Sequence, residues 1–136
     1  MAFWLVKSEP EDWSWDDQCG VATEPWTGVR NHQAQKNMRA MSLGDDVFFY
    51  HSGKAREIVG ICRVAKDPYP DPTDDSGKFC LVDLAQVKPV NIPVKLADIK
   101  AVPELAHLAL VRQARLSVMP IDEPSWSLLC RMAGLS

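Results

Sequence analysis

No apolar run in the sequence exceeds the six residues Met1 to Val6, and no basic segment precedes that run. Neither a membrane span nor a secretory signal is therefore expected. Cys19, Cys62, Cys80 and Cys130 stand far apart, with no CxxC pair and no histidine at zinc-ligand spacing. That excludes a zinc ribbon and reads them as small hydrophobic residues of a reducing compartment. The Gly-rich dinucleotide fingerprint, the phosphate loop, the nucleophile elbow and the HExxH helix are all missing. So are the His-x-Glu and Pro-Cys-x-x-Cys of base deaminases. Gly53-Lys54 and Gly77-Lys78 have neither the upstream glycine nor the following hydroxyl of a phosphate loop, and His32, His51 and His107 lie in separate predicted elements. No catalytic residue, metal set or cofactor is expected, and the protein reads as a cytoplasmic non-enzyme. Positive charge is short too: 15 Lys and Arg against 18 Asp and Glu leave a net charge of -3. That argues against binding long nucleic acid chiefly by phosphate neutralisation.

What is present is the composition of an ordinary globular domain, 46% apolar and 24% charged over 136 residues. That length suits one domain, taken as residues 1–136, with a core that needs no staples. Tryptophan is abundant, and four of the five fall in the first 26 residues: Trp4, Trp13, Trp15 and Trp26.

The apolar, branched run Phe3 to Val6 predicts a buried strand with Trp4 in the core. Ser14 and Asp17 fit a capping box over a short helix ending near Gly20, with Trp13 and Trp15 expected as a lid. Residues 21 to 28 read as a loop, and Asn31 caps a helix to about Ala40 whose Ala34, Met38 and Met41 share a buried face. Val47 to His51 predicts a central strand and Glu57 to Ala65 its hairpin partner. Lys66 to Lys78, with three prolines and four aspartates, predicts a loop. A third long strand is expected over Phe79 to Val87, helical pieces broken by Pro103 over Lys95 to Leu110, and a short strand over Arg115 to Pro120. Asp122 and Pro124 then open a terminal helix, which Gly134 ends. Short strands, turns and short helices together predict an α+β fold: a small, mostly antiparallel β-barrel of five to six strands with short flanking helices.

Four stretches mix aromatic, cationic and amide groups where predicted elements end: Trp4 to Pro10, Trp26 to Asn31, Tyr50 to Ser52 and Arg115 to Val118. At one rim of a barrel they can converge on a pocket for a flat, polar-edged ring. The candidate ligand-binding residues are Lys7, Ser8, Trp26, Val29, Arg30, Asn31, Tyr50, His51, Ser52 and Arg115. In order, Lys7-Ser8-Glu9-Pro10, Gly28-Val29-Arg30-Asn31-His32-Gln33-Ala34, Tyr50-His51-Ser52 and Arg115-Leu116-Ser117-Val118-Met119-Pro120 closely resemble the signature of the EVE domain, a small fold of the PUA-like superfamily. The resemblance covers about residues 2 to 133. It implies a PUA-like barrel and a reader of a modified nucleobase, such as a 5-methylcytosine derivative, in DNA or RNA. The related YTH domain holds methylated adenine in an aromatic cage, and by resemblance Lys7-Ser8 and Trp26 match parts of that cage.

Each candidate also has a plainer role open to it. Asn31 can simply cap its helix, Lys7 can be a solvated strand end, His51 can be structural, and Arg112 and Arg115 can pair with the acidic loop. Phosphate contact, if made, is expected from Lys7, Arg30, Lys36, Arg39, Lys54 and Arg56. A monomer without membrane contact is expected. A nucleic-acid-processing enzyme and a binder of a small heterocyclic metabolite remain alternatives.

Overall fold

A computed structural model describes residues 1–135. Phe3–Ser8 forms β1, whose Trp4, Leu5 and Val6 are all buried, as a continuous apolar run requires of a strand covered on both faces. β1 runs parallel to β3 (Asp46–His51) and antiparallel to β6 (Val118–Ile121); the elements α1 (Trp15–Cys19), β2 (Glu24–Pro25) and α2 (His32–Arg39) lie between β1 and β3 in the chain. β3 pairs antiparallel with β4 (Glu57–Pro70), β4 with β5 (Cys80–Lys95), and β5 with β2. The six strands stand in the order β2-β5-β4-β3-β1-β6. Helices α3 (Leu96–Lys100), α4 (Ala109–Arg112) and α5 (Glu123–Met132), with a 3-10 turn at Pro103–Leu105, complete an α+β fold. No helix among the described residues is long and apolar enough to cross a membrane.

The expected six-stranded, mostly antiparallel architecture is found, and it is not closed: β2 and β6 end the hydrogen-bonded order and do not pair with each other. α2 bridges the gap instead. Gln35, 1% exposed, donates from Nε2 to the Cys80 carbonyl at 2.9 Å and accepts the Cys80 N–H on Oε1 at 2.9 Å. One side-chain amide thus gives β5 the donor and acceptor that a neighbouring strand would offer. Asn37 does half as much for β6, donating to the Val118 carbonyl at 2.8 Å.

Two expected loops carry strand. Residues 21 to 28 contain β2, and the proline-rich stretch contributes Lys66 to Pro70 to β4. Pro68 is tolerated because the β4–β5 register shifts between Lys66 and Tyr69, and Pro70 because it is the last residue of β4. β5 likewise runs on to Lys95, past the expected end at Val87. Of the two tryptophans expected as a lid, Trp15 is core. Its ring meets Phe49 edge-on at 5.3 Å and covers Gly60 so closely that a Cβ there would come within 2.4 Å. On the other side, Trp126 of α5 stacks on Phe48 at 3.8 Å and Phe3 at 4.7 Å, fixing the last helix to the sheet.

Replacing the Gln35 amide by a hydrocarbon of similar size leaves both backbone groups of Cys80 without their partner. Gln35→Leu is expected to cost about 2 to 4 kcal/mol in denaturant unfolding and to speed amide exchange at Cys80 selectively. Wild-type stability with unchanged Cys80 protection would show that α2 does not close the sheet.

Candidate functional site

A cleft of about 440 Å³ opens where β1 ends and the β2–α2 loop crosses, with Lys7, Ser8 and Ser117 on one side and Trp26 to Arg30 on the other. Glu9, Asp12, Trp13, Glu24 and Pro25 complete its lining. β2 pairs only with Leu84 and Asp83, so the chain leaves the sheet at Trp26, whose N–H donates to the Val82 carbonyl at 2.9 Å. The indole, half-buried, stands edge-on against Phe49 at 5.8 Å. Backbone and ring are thereby both anchored while part of the indole stays open to the cleft. Gly28 follows with φ +82°, a left-handed conformation, and a Cβ there would meet nothing within 4 Å. Conformation, not space, favours glycine at this position.

Asp71 holds this loop. Its side chain is wholly buried, and it accepts the Gly28 N–H at 2.9 Å, Arg30 Nη1 at 3.1 Å, the Thr73 N–H at 2.8 Å and Thr73 Oγ1 at 2.6 Å. Burial by itself would raise the carboxyl pKa. The hydrogen bonds from Thr73, Gly28 and Arg30 outweigh it and bring the group down to about 2. Arg30 is completed by Thr73 Oγ1 at 3.0 Å and by the Phe79 ring at 4.8 Å. The arginine that ion-pairs with the acidic loop is therefore Arg30. Neither Arg112 nor Arg115, expected as alternatives, forms an ion pair among the described residues.

Across the cleft, Lys7 donates from Nζ to the Ala114 carbonyl at 2.9 Å and lies 5.7 Å from the centre of the Tyr50 ring, and burial lowers its pKa. The Ser8 hydroxyl donates to the Trp13 carbonyl, and the Trp13 indole N–H to Gln18 Oε1 at 2.8 Å. Burial pushes the Glu24 carboxyl up. Lys7 and Arg30 are thus outnumbered by Glu9, Asp12 and Glu24. Such walls suit a neutral ring with amino and carbonyl edges better than a phosphate.

Of the ten candidates, the structure brings Lys7, Ser8, Trp26, Val29 and Arg30 together around the cleft. The other five do not line it. Asn31 caps α2, accepting the Ala34 N–H at 2.9 Å. Tyr50 is buried beneath Lys7, and Ser52 donates its backbone N–H to the Ser8 carbonyl. His51 accepts the Trp15 N–H on Nε2 at 3.0 Å, and burial lowers its pKa against the opposing pull of Glu57, Asp16 and Glu9. Arg115 is exposed outside the cleft. Glu9, Asp12, Glu24, Pro25, Thr27, Gly28 and Ser117 line the cleft without having been among the ten candidates, and Trp13, which also lines it, was expected only as part of a lid. Glu9, Thr27, Gly28 and Ser117 sit inside quoted stretches, which was the available signal.

One of the three histidines meets a carboxylate and a hydroxyl. His107 Nε2 lies 2.6 Å from Asp122 Oδ1 and 3.3 Å from Ser125 Oγ. The arrangement is unlike an acyl-transfer triad, where the acid holds one ring nitrogen and the hydroxyl faces the other. Here both crowd Nε2, and Ser125 Oγ donates to Asp122, which caps α5 through the Ser125 N–H. Among the described residues no three His, Cys, Asp or Glu side chains gather as a metal site.

Comparison with known proteins adds to this geometry. The family model of the EVE domain matches residues 2–132. A protein of Rhodopseudomonas palustris, known from an NMR structure, is 52% identical and superposes with a TM-score of 0.95, covering 99% of this chain and 94% of that one. Human thymocyte nuclear protein 1 is 32% identical over 154 residues, covering 88% of this chain and 68% of that protein. Its crystal structure in complex with DNA containing 5-methylcytosine superposes with a TM-score of 0.91 at 29% identity, covering 98% of each chain.

Asp71→Asn removes the charge that Gly28 and Arg30 share and is expected to destabilise by about 2 to 3 kcal/mol near neutral pH. A depressed carboxyl stabilises the fold above its unfolded pKa, 3.8, and loses that contribution as pH falls through about 2. The gap between wild type and variant, read from urea unfolding, should be widest above about pH 4 and narrow toward about pH 2. A gap that stays constant across this range would show that the carboxylate is not the anchor of the loop.

Proposed function

This chain belongs to the EVE domain family, and on that premise we propose that it is a non-enzymatic nucleic-acid reader whose cleft accepts one modified base, of the 5-methylcytosine class, flipped or single-stranded. The observation that carries this reading is the anchored, half-open Trp26 beside hydroxyls and carboxylates. An aromatic face takes a base by stacking, worth about 1 to 3 kcal/mol. Glu9, Asp12 and Glu24 offer acceptors for an exocyclic amino group, the edge that distinguishes cytosine from thymine or uracil. The DNA-bound structure of human thymocyte nuclear protein 1 supports the same ligand class.

A reader needs a fixed pocket and no activated nucleophile, and the cleft fits that need. Ser8 Oγ is committed to a carbonyl, and Lys7 Nζ to another. His51, of the Tyr50-His51-Ser52 motif, has its Nε2 lone pair occupied by the Trp15 N–H. None of the three stands with a partnered base.

Trp26→Ala is expected to weaken binding of a single-stranded oligonucleotide carrying one 5-methylcytosine by about 1 to 3 kcal/mol, with the fold retained by circular dichroism. Titration by fluorescence anisotropy with methylated and unmethylated strands checks it. Equal affinities for wild type and variant would remove Trp26 as the platform.

A further inference from the structure

Three of the six cations first expected to meet phosphate are engaged within the protein. Arg30 is held by Asp71 and Thr73, Lys7 by the Ala114 carbonyl and Arg39 by the Lys78 carbonyl. Two of the other three stand together elsewhere. Lys54 and Arg56, on the β3–β4 turn, and Lys95 and Lys100, at the end of β5 and on α3, surround a second concavity of about 500 Å³ in which Glu57 is the one carboxylate. All four cations are exposed, and none makes an ion pair or side-chain hydrogen bond among the described residues.

The backbone beneath them is fixed. Glu57 pairs in register with Lys95, and the Leu96 N–H donates to the Arg56 carbonyl at 2.9 Å. Arg56 has φ +47°, a left-handed conformation that side-chain-bearing residues rarely adopt. The two concavities are neighbours. Gly53, next to Lys54, packs on the carboxylate of Glu9, a lining residue of the cleft, so closely that a Cβ would come within 2.6 Å. Tyr50 links them as well, lying under Lys7 and within the field of Arg56.

We infer that the face formed by Lys54, Arg56, Lys95 and Lys100 takes the phosphodiester backbone of the strand whose base enters the cleft, an inference that rests on the nucleic-acid reading of that cleft. The three carboxylates around the cleft repel phosphate, so the backbone of a bound strand needs its counter-charge outside it. Four dispersed, solvated cations without a buried polar cradle suit a running polyanion and not a single phosphate ion.

The test uses Lys54→Gln/Lys95→Gln/Lys100→Gln with a single-stranded DNA of about 12 nucleotides carrying one 5-methylcytosine, a length within single-strand site sizes. Each lost phosphate contact lowers the salt slope of binding by about 0.7, so the triple variant should lose about 2 units of slope. Between about 50 and 200 mM salt the wild type then loses about 20-fold more affinity than the variant. Lys66→Gln/Lys78→Gln/Lys88→Gln, with the same change in net charge elsewhere, should keep the wild-type slope. The nucleoside 5-methyl-2′-deoxycytidine, which has no phosphate, should bind the first variant as it binds wild type. A wild-type slope in the first variant, or an equal loss in the second, overturns the inference. If Trp26→Ala binds the strand like wild type while the first variant loses slope, the base-reading proposal fails and the phosphate face stands. If Trp26→Ala loses affinity while the first variant keeps its slope, the face fails and the cleft stands.

Discussion

The buried carboxylate of Asp71 is the contact on which the cleft depends. A loop from Trp26 to Arg30 has few ways to be rigid: it contains one left-handed glycine and lies beyond the last pair of β2. Asp71 takes the Gly28 N–H and the Arg30 guanidinium on one oxygen and Thr73 on the other, so the acidic loop and the Trp26 loop become one unit. Gln35 then ties that unit to the sheet, since its Nε2 also donates to the Val29 carbonyl at 2.7 Å. A stacking platform is useful only if it is in place before the ligand arrives, because ordering it on binding would consume affinity. Two buried polar side chains, each fully hydrogen-bonded, supply that order.

The same contacts explain how far the site was legible in the sequence. Elements with local signals were read nearly to the residue: the apolar run of β1, the Ser14–Asp17 capping box, the Asn31 cap of α2 and the Asp122 cap of α5. Their causes lie within a few residues of chain. β2 and the ends of β4 and β5 were missed because they exist through pairing across the sheet, and proline argued against them. Half of the candidate site residues line the cleft. The reason is the same: Lys7, Ser8 and Trp26 to Arg30 sit at chain exits, whereas His51 and Tyr50 are placed by register with Ser8 and Lys7 and so lie behind them. Asp71 was hidden in a run that reads as a solvated acidic loop. Nothing local reveals that one of four aspartates there is buried.

Charge is sorted in space, although the chain as a whole is acidic. Carboxylates dominate the cleft, where base edges would be read, and unpaired cations line the neighbouring concavity, where a backbone would run. Net charge, a whole-chain sum, is blind to this division. It limits non-specific attraction to nucleic acid while leaving local attraction intact.

That a base lodges against Trp26 is the central claim, and amide and indole chemical-shift mapping tests it most directly. On titration with a single strand carrying one 5-methylcytosine, the account predicts that the Trp26 indole N–H and the backbone amides of Thr27, Gly28 and Ser117 shift together. The indole of Trp126, stacked on the opposite elements between Phe3 and Phe48, should stay in place. Shifts confined to Trp126 and the His107 face, with Trp26 and Gly28 unmoved, would contradict it.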